Sequence, residues 1–476
     1  MVAPALASST VTLEPGSFVE TASYVIWTDG TTIYAKNGQT GEIEFSGTDA
    51  TTVIQNAINN GYSVFLKNGN YTITTYLQIS KSNFVLRGES WQARIIPQGD
   101  NTAIMIKSGC SGVIIENLMI DGSNQATATD TPPNEGEEYK LGIYFASSGG
   151  IVSKCYIYNT GSDSIYGAGS LDVLVINNYI KKTRGWYASI HAHGNNHNFV
   201  VIGNIIEDSH VGAIRHGSII LGNKIINCGK NYKDAIIYTG GGATPNDLSI
   251  VANNYLYNVT GIGIMVYYGY NIISDNILYS ASGNIKPGIL FDQYENTYYN
   301  IVKDNIIKNF RHGMELSSYT RFTRVVGNLI LDPEYDGIVV NQADIITISN
   351  NIINNTGHYG INIISGTTLT YSIIEGNHFL NIGYSAIIKN VDLIDTTTSI
   401  IKNNVGYVTE NSGSVEFSGT SVSFAHGLAG TPTGVWASFN STGYGGWTWT
   451  ANSTHITITV ANTGDYTVYW RAEYKP

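Results

Sequence analysis

Charge is scarce in this chain of 476 residues: only 13% are Asp, Glu, Lys or Arg, about half of what a globular chain usually carries. Long helices normally cover their exposed faces with Glu, Lys and Arg, so the composition disfavours them. Asn, Ser, Thr and Tyr must supply the polar surface, which suits strands and turns. A basic excess is also missing. With 25 Lys+Arg against 36 Asp+Glu the formal net charge is −11, the opposite of what a general nucleic-acid binder carries. No apolar run approaches the roughly 18 residues needed to span a bilayer. Polar low-complexity tracts are absent too; Ile, Val and Tyr recur throughout, which excludes disorder. Cysteine is rare. Cys110, Cys155 and Cys228 lack metal-ligand spacing and fall in strand-like segments, where a thiol serves as a small buried hydrophobe; a disulfide between two of them stays open. Near the start, Ala5-Leu6-Ala7 has the small-x-small shape of a signal cleavage site, without the basic and apolar regions that precede one. The expectation is a secreted or cell-surface protein with its signal peptide absent or trimmed.

What is abundant is repetition. At about 150 residues per domain the length suggests three domains, but repetitive all-β folds run longer as one body. From about 110 to 405 one phrase returns, apolar residues, then Asn, one variable residue and apolar residues again. Val201-Ile202-Gly203-Asn204-Ile205-Ile206 and Ile346-Thr347-Ile348-Ser349-Asn350-Asn351-Ile352-Ile353 are examples. The Asn positions align at 117, 178, 204, 223, 254, 276, 305, 328, 351, 377 and 404, with Cys155 taking one turn. A second phrase, a small residue followed by an aliphatic, follows each: Gly142-Ile143, Ser164-Ile165, Gly313-Met314, Gly337-Ile338. Short strands with period-2 alternation and no helical crossover describe a solenoid whose rungs bury their apolar faces only by stacking. The recurrent Asn suits a tight bend, tolerating left-handed backbone and bonding its counterparts above and below. The expected fold is all-β, a right-handed parallel β-helix. Upstream, Asp49 or a neighbouring Thr caps a short helix with an apolar stripe of Val53, Ile54, Ala57 and Ile58, which would close the open end.

Residues 48–88 resemble the opening of the pectate-lyase-like β-helix superfamily, through Asp49, Ile54, Gln55, Ala57, Ile58, Val64, Leu66, Gly69, Tyr71 and Ile73. With the Asn rungs the likeness covers about residues 45 to 410. It implies the fold; the superfamily holds lyases, hydrolases, epimerases, esterases and tailspikes, so function must come from the site. The organisation expected is an N-terminal extension of strands over 1–47, the capped β-helix over 48–410, and a small antiparallel β-sandwich over 414–476. That last unit resembles modules appended to secreted or surface proteins and reads as a carbohydrate-binding module.

If the Ile of each small–aliphatic phrase points inward, the residues one and three positions later point outward. The first outward column then reads Tyr144, Tyr166, His191, Arg215, Ile237, Met265, Leu290, Glu315, Val339, Asn362; the second includes His193, Gly217, Thr239, Tyr267, Asp292, Ser317 and Asn341. In the resembled superfamily this strand commonly lines the substrate groove. Asp292 and Glu315, one rung apart and offset by two residues, have backbones about 8 Å apart, as an inverting glycosidase requires of its acid and base. His191, Arg215, His193 and His216 form a second constellation, expected two rungs or so away. Residues 181–233 hold seven Lys/Arg and five His against only Glu207 and Asp208, a local reversal of sign that could hold anionic sugars or supply the base and charge neutraliser of a lyase. His191 and His193 share one side of a strand, as a metal pair would. Arg215-His216-Gly217 resembles in part the Ser-His-Gly motif of polygalacturonase-like hydrolases, whose Asn-Thr-Asp and Asp-Asp motifs are absent. Asp163, Asp234 and Asp336 each precede a small–aliphatic phrase and read as turn caps.

Tyr238, Tyr267, Tyr294 and Asn341, with Trp447 and Trp449 of the last unit, complete the expected substrate contacts, flat faces with polar tips suiting sugar rings. The segment Asp121–Lys140, rich in Glu, would overhang the groove. No motif requires a cofactor, and no Ca2+ site can be read. The function expected is a polysaccharide-degrading enzyme, first a glycoside hydrolase using Glu315 and Asp292. The alternatives are a lyase on uronate polymers using the His/Arg patch, or a non-catalytic tailspike-like or surface glycan binder. A polysaccharide is the expected partner; oligomeric state is open.

Overall fold

The computed structural model describes residues 22–127, 140–169, 171–185, 188–193, 197–210, 212–229, 235–239, 248–267, 269–291, 297–317, 320–341, 343–364, 369–389 and 398–475. Three long sheets, here A, B and C, are visited in the same order on every rung. On one rung, Ile219–Leu221 lies in A, Lys224–Ile226 in B and Ala235–Thr239 in C. Each strand pairs in parallel with its counterpart on the next rung: Ile220 with Val251, Ile225 with Leu256, Ile237 with Ile264. This is the parallel β-helix that the repeat predicts. The inward residues stack into one apolar core running from Tyr24 to Tyr407. β-branched Ile and Val dominate it because their stiff side chains pack well on a pleated surface.

The turn between A and B carries an asparagine ladder from Asn178 to Asn404, every member buried. Asn276 shows the pattern: its backbone N–H and Nδ2 donate to Asn305 Oδ1 at 3.0 and 2.9 Å, and Nδ2 also reaches the Val251 carbonyl at 2.9 Å. The two roles expected of one Asn are divided between neighbours. Left-handed backbone belongs to the residue before, as at Asn177 (φ 54°), Asn253 (φ 57°) and Asp275 (φ 58°). Asn117 is such a residue (φ 54°), with buried Leu118 in the ladder's place. The sequence reading was thus one position off at that rung, because both roles accept Asn. Cys155 does take a ladder position, its N–H donating to Asn178 Oδ1 at 2.9 Å. All three cysteines are buried and free, and burial pushes the Cys155 thiol up to about 12.

The small residue before each sheet C strand has a steric cause. A Cβ on Gly313 would lie 2.5 Å from the Gly337 carbonyl oxygen, and one on Gly337 2.5 Å from that of Gly360. At one end, helix α1 (Ala50–Asn60) is capped by Asp49, whose carboxylate accepts from the N–H groups of Thr51 and Thr52. Its Gln55 exchanges two hydrogen bonds with the Gln78 backbone, 2.8 and 2.9 Å, sealing the first strand of sheet C. Strands Tyr24–Thr28, Ile33–Asn37 and Ile43–Gly47 form an antiparallel meander that joins sheet A through Tyr24–Ile26. At the other end is one four-stranded antiparallel sheet. Phe424 and Trp470 lie at opposite ends of its long strand pair, yet their rings are 4.8 Å apart. The sheet therefore doubles over so that its halves face each other as in a sandwich.

Candidate functional site

The outward column of sheet C is set by strand register. Tyr144 pairs with Tyr166, Tyr166 with His191, His191 with Arg215, and Arg215 with Tyr238. Ile237 is therefore inward and buried, and Tyr238 takes the outward place that simple counting assigned to it. On this rung the inward aliphatic is the second Ile of Ala235-Ile236-Ile237, one place later than counting takes it, and a bulge follows between Arg215 and Gly217. His216 sits in that bulge with left-handed backbone (φ 63°), a device that re-aims side chains.

Ring contacts then run without a break along the helix axis. Tyr144 is 5.5 Å from Tyr166, which lies 5.1 Å from His191 and 6.2 Å from His193. His191 is 5.9 Å from His216, His216 stacks on Tyr238 at 4.8 Å, and Tyr238 is 5.4 Å from Tyr267. The Arg215 guanidinium lies 5.1 Å over the Tyr238 ring. Its Nε donates to His216 Nε2 at 3.2 Å, so His216 must be neutral at that nitrogen. Burial, with Arg215, His191 and His193 nearby, pushes the His216 pKa down to about 2.

Beneath this stripe lies a buried pair. Asp163 Oδ2 is 2.9 Å from His191 Nδ1, and the two side chains are 2% and 1% exposed. A carboxylate only accepts, so the proton sits on Nδ1. Burial holds His191 below the ordinary imidazole range despite the opposing pull of Asp163. Asp163 Oδ1 also takes the Ala188 N–H at 3.3 Å. Buried hydroxyls of Thr160, Ser164, Thr183 and Ser189, linked at 2.9 Å, steady the turn that carries it. Asp163, read as a turn cap, thus bonds the next rung instead, taking the first N–H of its sheet C strand and orienting His191. Asp336 repeats the motif: it accepts from the Tyr359 N–H and Asn362 Nδ2, both at 3.1 Å, and lies 3.4 Å from His312 Nδ1. Burial works to raise its carboxyl, but those bonds hold it below the usual range. Asp234 lies outside the described residues.

The expected site residues fall into separate groups. Arg215, His193, His216, Tyr238 and Tyr267 come together, with His193 exposed. His191 belongs to the group but is buried, so it orients neighbours and does not meet a polymer. Glu315 is half-buried and faces outward, but it stands four rungs from Arg215, through Tyr238, Met265 and Leu290. The expectation of two rungs or so between the constellations was too short; the strand register puts four between Arg215 and Glu315. Asp292 and Tyr294, and the Glu-rich segment 128–139, lie outside the described residues. Asn341 is half-buried at the end of its strand, one rung past Glu315. Trp447 and Trp449 pack half-buried against the core of the C-terminal sheet, and Trp436 is the indole left exposed there, under Arg471. Tyr144 and Tyr166 were on the column but not counted as contacts; their spacing by whole rungs was the available signal. Among the described residues no three His, Cys, Asp or Glu side chains converge as metal ligands, and no helix is long and apolar enough to cross a membrane.

A model of the right-handed β-helix region matches residues 234–422. The chain is a right-handed β-helix. Its resemblance to the pectate-lyase-like superfamily therefore holds at the level of the fold. Similar solved structures include the catalytic unit of a thermostable GH87 α-1,3-glucanase from Streptomyces thermodiastaticus strain HF3-3. It is 14% identical over 75% of this chain and 66% of that one, with a TM-score of 0.46. The Dettilon tailspike protein is 15% identical over 94% of each chain, TM-score 0.43. The surface protein and adhesin PfbA of Streptococcus pneumoniae is 15% identical over 74% of this chain and 96% of that one, TM-score 0.45. No curated protein matches the sequence significantly.

Proposed function

We propose that the chain binds an anionic polysaccharide along the outer face of sheet C and cleaves it by β-elimination, outside the cell where such polymers are met. The observation that carries this reading is the unbroken row of ring contacts from Tyr144 to Tyr267 with Arg215 at its middle. Successive rungs are about 4.8 Å apart, so the row offers a sugar chain one aromatic or imidazole face per rung. Arg215 is placed to neutralise a uronate carboxylate, which acidifies the neighbouring carbon. Exposed His193 is the group that takes the proton from that carbon. The carbon–oxygen bond to the next sugar breaks as the double bond forms, and the Tyr166 or Tyr238 hydroxyl protonates the departing oxygen. Neutral His216 accepts from Arg215 and so holds the guanidinium in place; the Asp163–His191 pair supports the row from below.

Hydrolysis at Glu315 with Asp292 is the second reading. Glu315 favours it, because it faces outward in the same column and no described residue bonds its carboxylate. One assay set separates the readings: a panel of neutral and anionic polysaccharides, followed by reducing ends and by ultraviolet absorbance of unsaturated products. Both signals together, abolished by Arg215→Ala and kept by Glu315→Gln, are the expected outcome. Reducing ends alone, abolished by Glu315→Gln, establish hydrolysis; neither signal on any glycan leaves a binding protein.

A further inference from the structure

Sheet A carries a surface that the glycan reading does not use. Over six consecutive rungs its first outward column reads Ile151, Leu174, Val200, Ile219, Ile250 and Ile272, each in register with the next. The second column, from Ser153 to Ser274, adds Ile176, Ile202 and Leu221. Neither column holds a charged residue over these rungs. The strands themselves, Leu174-Val175-Ile176, Val200-Val201-Ile202 and Ile219-Ile220-Leu221, are apolar at every position. Parallel strands of that kind normally lie in sheets covered on both faces. In this chain the inward residue of each is fully buried while its two neighbours are only partly covered.

A second observation concerns the edge of the same sheet. Tyr270, Tyr299 and Phe322 stack at 5.4 and 4.7 Å, nearly parallel, and are 36%, 53% and 40% exposed. Tyr299 and Phe322 hold left-handed backbone (φ 56° and 52°). At other turns the chain gives such positions mostly to Asn, Asp or Gly, which bear that conformation at little cost, whereas bulky side chains seldom adopt it. The rings are thus kept exposed in spite of the backbone strain. Since they stack on one another, they present edges outward and are no platform for sugar rings.

We infer that sheet A, with this aromatic ridge, is the surface through which two copies of the chain associate. The two columns over six rungs form a strip on the order of 300 Å2, with exposed Asp172 at its edge. The ridge and exposed Leu248 extend it toward the roughly 800 Å2 that each partner contributes to a stable interface; apolar patches of a few hundred Å2 often mark interaction sites. A second copy is the occupant that fits. Its side-chain rows repeat at the same rung spacing and can seat between these, and the uncharged face lets two chains of net charge −11 meet without like charges in contact. Sheet C stays open on the far side of each copy.

The test is the mass of the full chain in solution, by light scattering and sedimentation across the micromolar range, for wild type and for Ile202→Lys/Ile250→Lys. The expected result is a wild type at twice the chain mass or more. The double variant should be a monomer with unchanged far-ultraviolet circular dichroism. Should the double variant unfold, the milder Ile250→Thr must weaken association at least tenfold. A wild-type monomer throughout, or variants that assemble as tightly as the wild type, would overturn the inference. So would a wild type that stays monomeric but floats with vesicles of neutral phospholipid, since the face would then serve a membrane.

Discussion

Arg215 and Ile219 lie four residues apart and face outward from adjacent sheets, one closing a rung on C and the other opening the next on A. Their backbones obey the same rules: parallel pairing, one rung per repeat, an inward Ile beside each. On sheet C the outward places hold Tyr, His and Arg, supported by buried Asp163 and by a bulge. On sheet A they hold Ile, Leu and Val over six rungs. The ladder and the core demand inward residues of a given kind and leave outward ones nearly free. What stands outward is therefore not explained by folding, and each face needs its own reason.

That contrast can be broken at several points. The largest effect should come from Arg215→Ala, which removes the charge at the centre of the row. Turnover of an anionic glycan should fall about 100- to 1,000-fold with the melting temperature nearly unchanged, as steady-state kinetics and a thermal scan would show. Next is the shared backbone. Asn276→Ala deletes bonds to Asn305 and to the Val251 carbonyl and leaves buried groups unmet, so stability should drop by about 3 kcal/mol by urea titration, whichever face is considered.

Acid should distinguish the faces. Burial keeps His191 and His216 uncharged in the folded chain, whereas the unfolded chain protonates them as pH falls through about 6.5. The unfolded state then binds more protons, so stability is complete above that pH and declines below it. The slope is at most about 1.4 kcal/mol per unit for each histidine, and His216→Gln should flatten it. Tyr238→Leu should weaken glycan binding by about 1 kcal/mol through loss of its contact with Arg215, read by titration calorimetry. The smallest effect belongs to Ile219→Thr on sheet A, which should leave glycan turnover within twofold.

Much of this was legible in the residues. The Asn and small–aliphatic phrases announced the rungs, because stacking demands the same residue at the same place on every turn; the Gly313 and Gly337 contacts with the next rung show why. Asp49, Gln55 and the helix stripe announced the cap. The site was legible as a column and misread in detail. Counting could not see the strand register of this rung, so Ile237 stood where Tyr238 belongs, nor did it weigh the four rungs between Arg215 and Glu315. Nor could it see that His191, outward by parity, is roofed over by Tyr166, His193 and His216. Trp447 and Trp449 share a strand face as expected, but only the doubling over of the C-terminal sheet turns that face inward.

The sequence by itself determined that this chain is a β-helix, since a periodic pattern of burial admits one kind of stacking. It also determined where charge reverses sign, in residues 181–233. Tertiary structure alone decided which of those groups touch, because contacts across rungs join residues 20 to 30 apart, and the bulge at His216 turns one imidazole into the row.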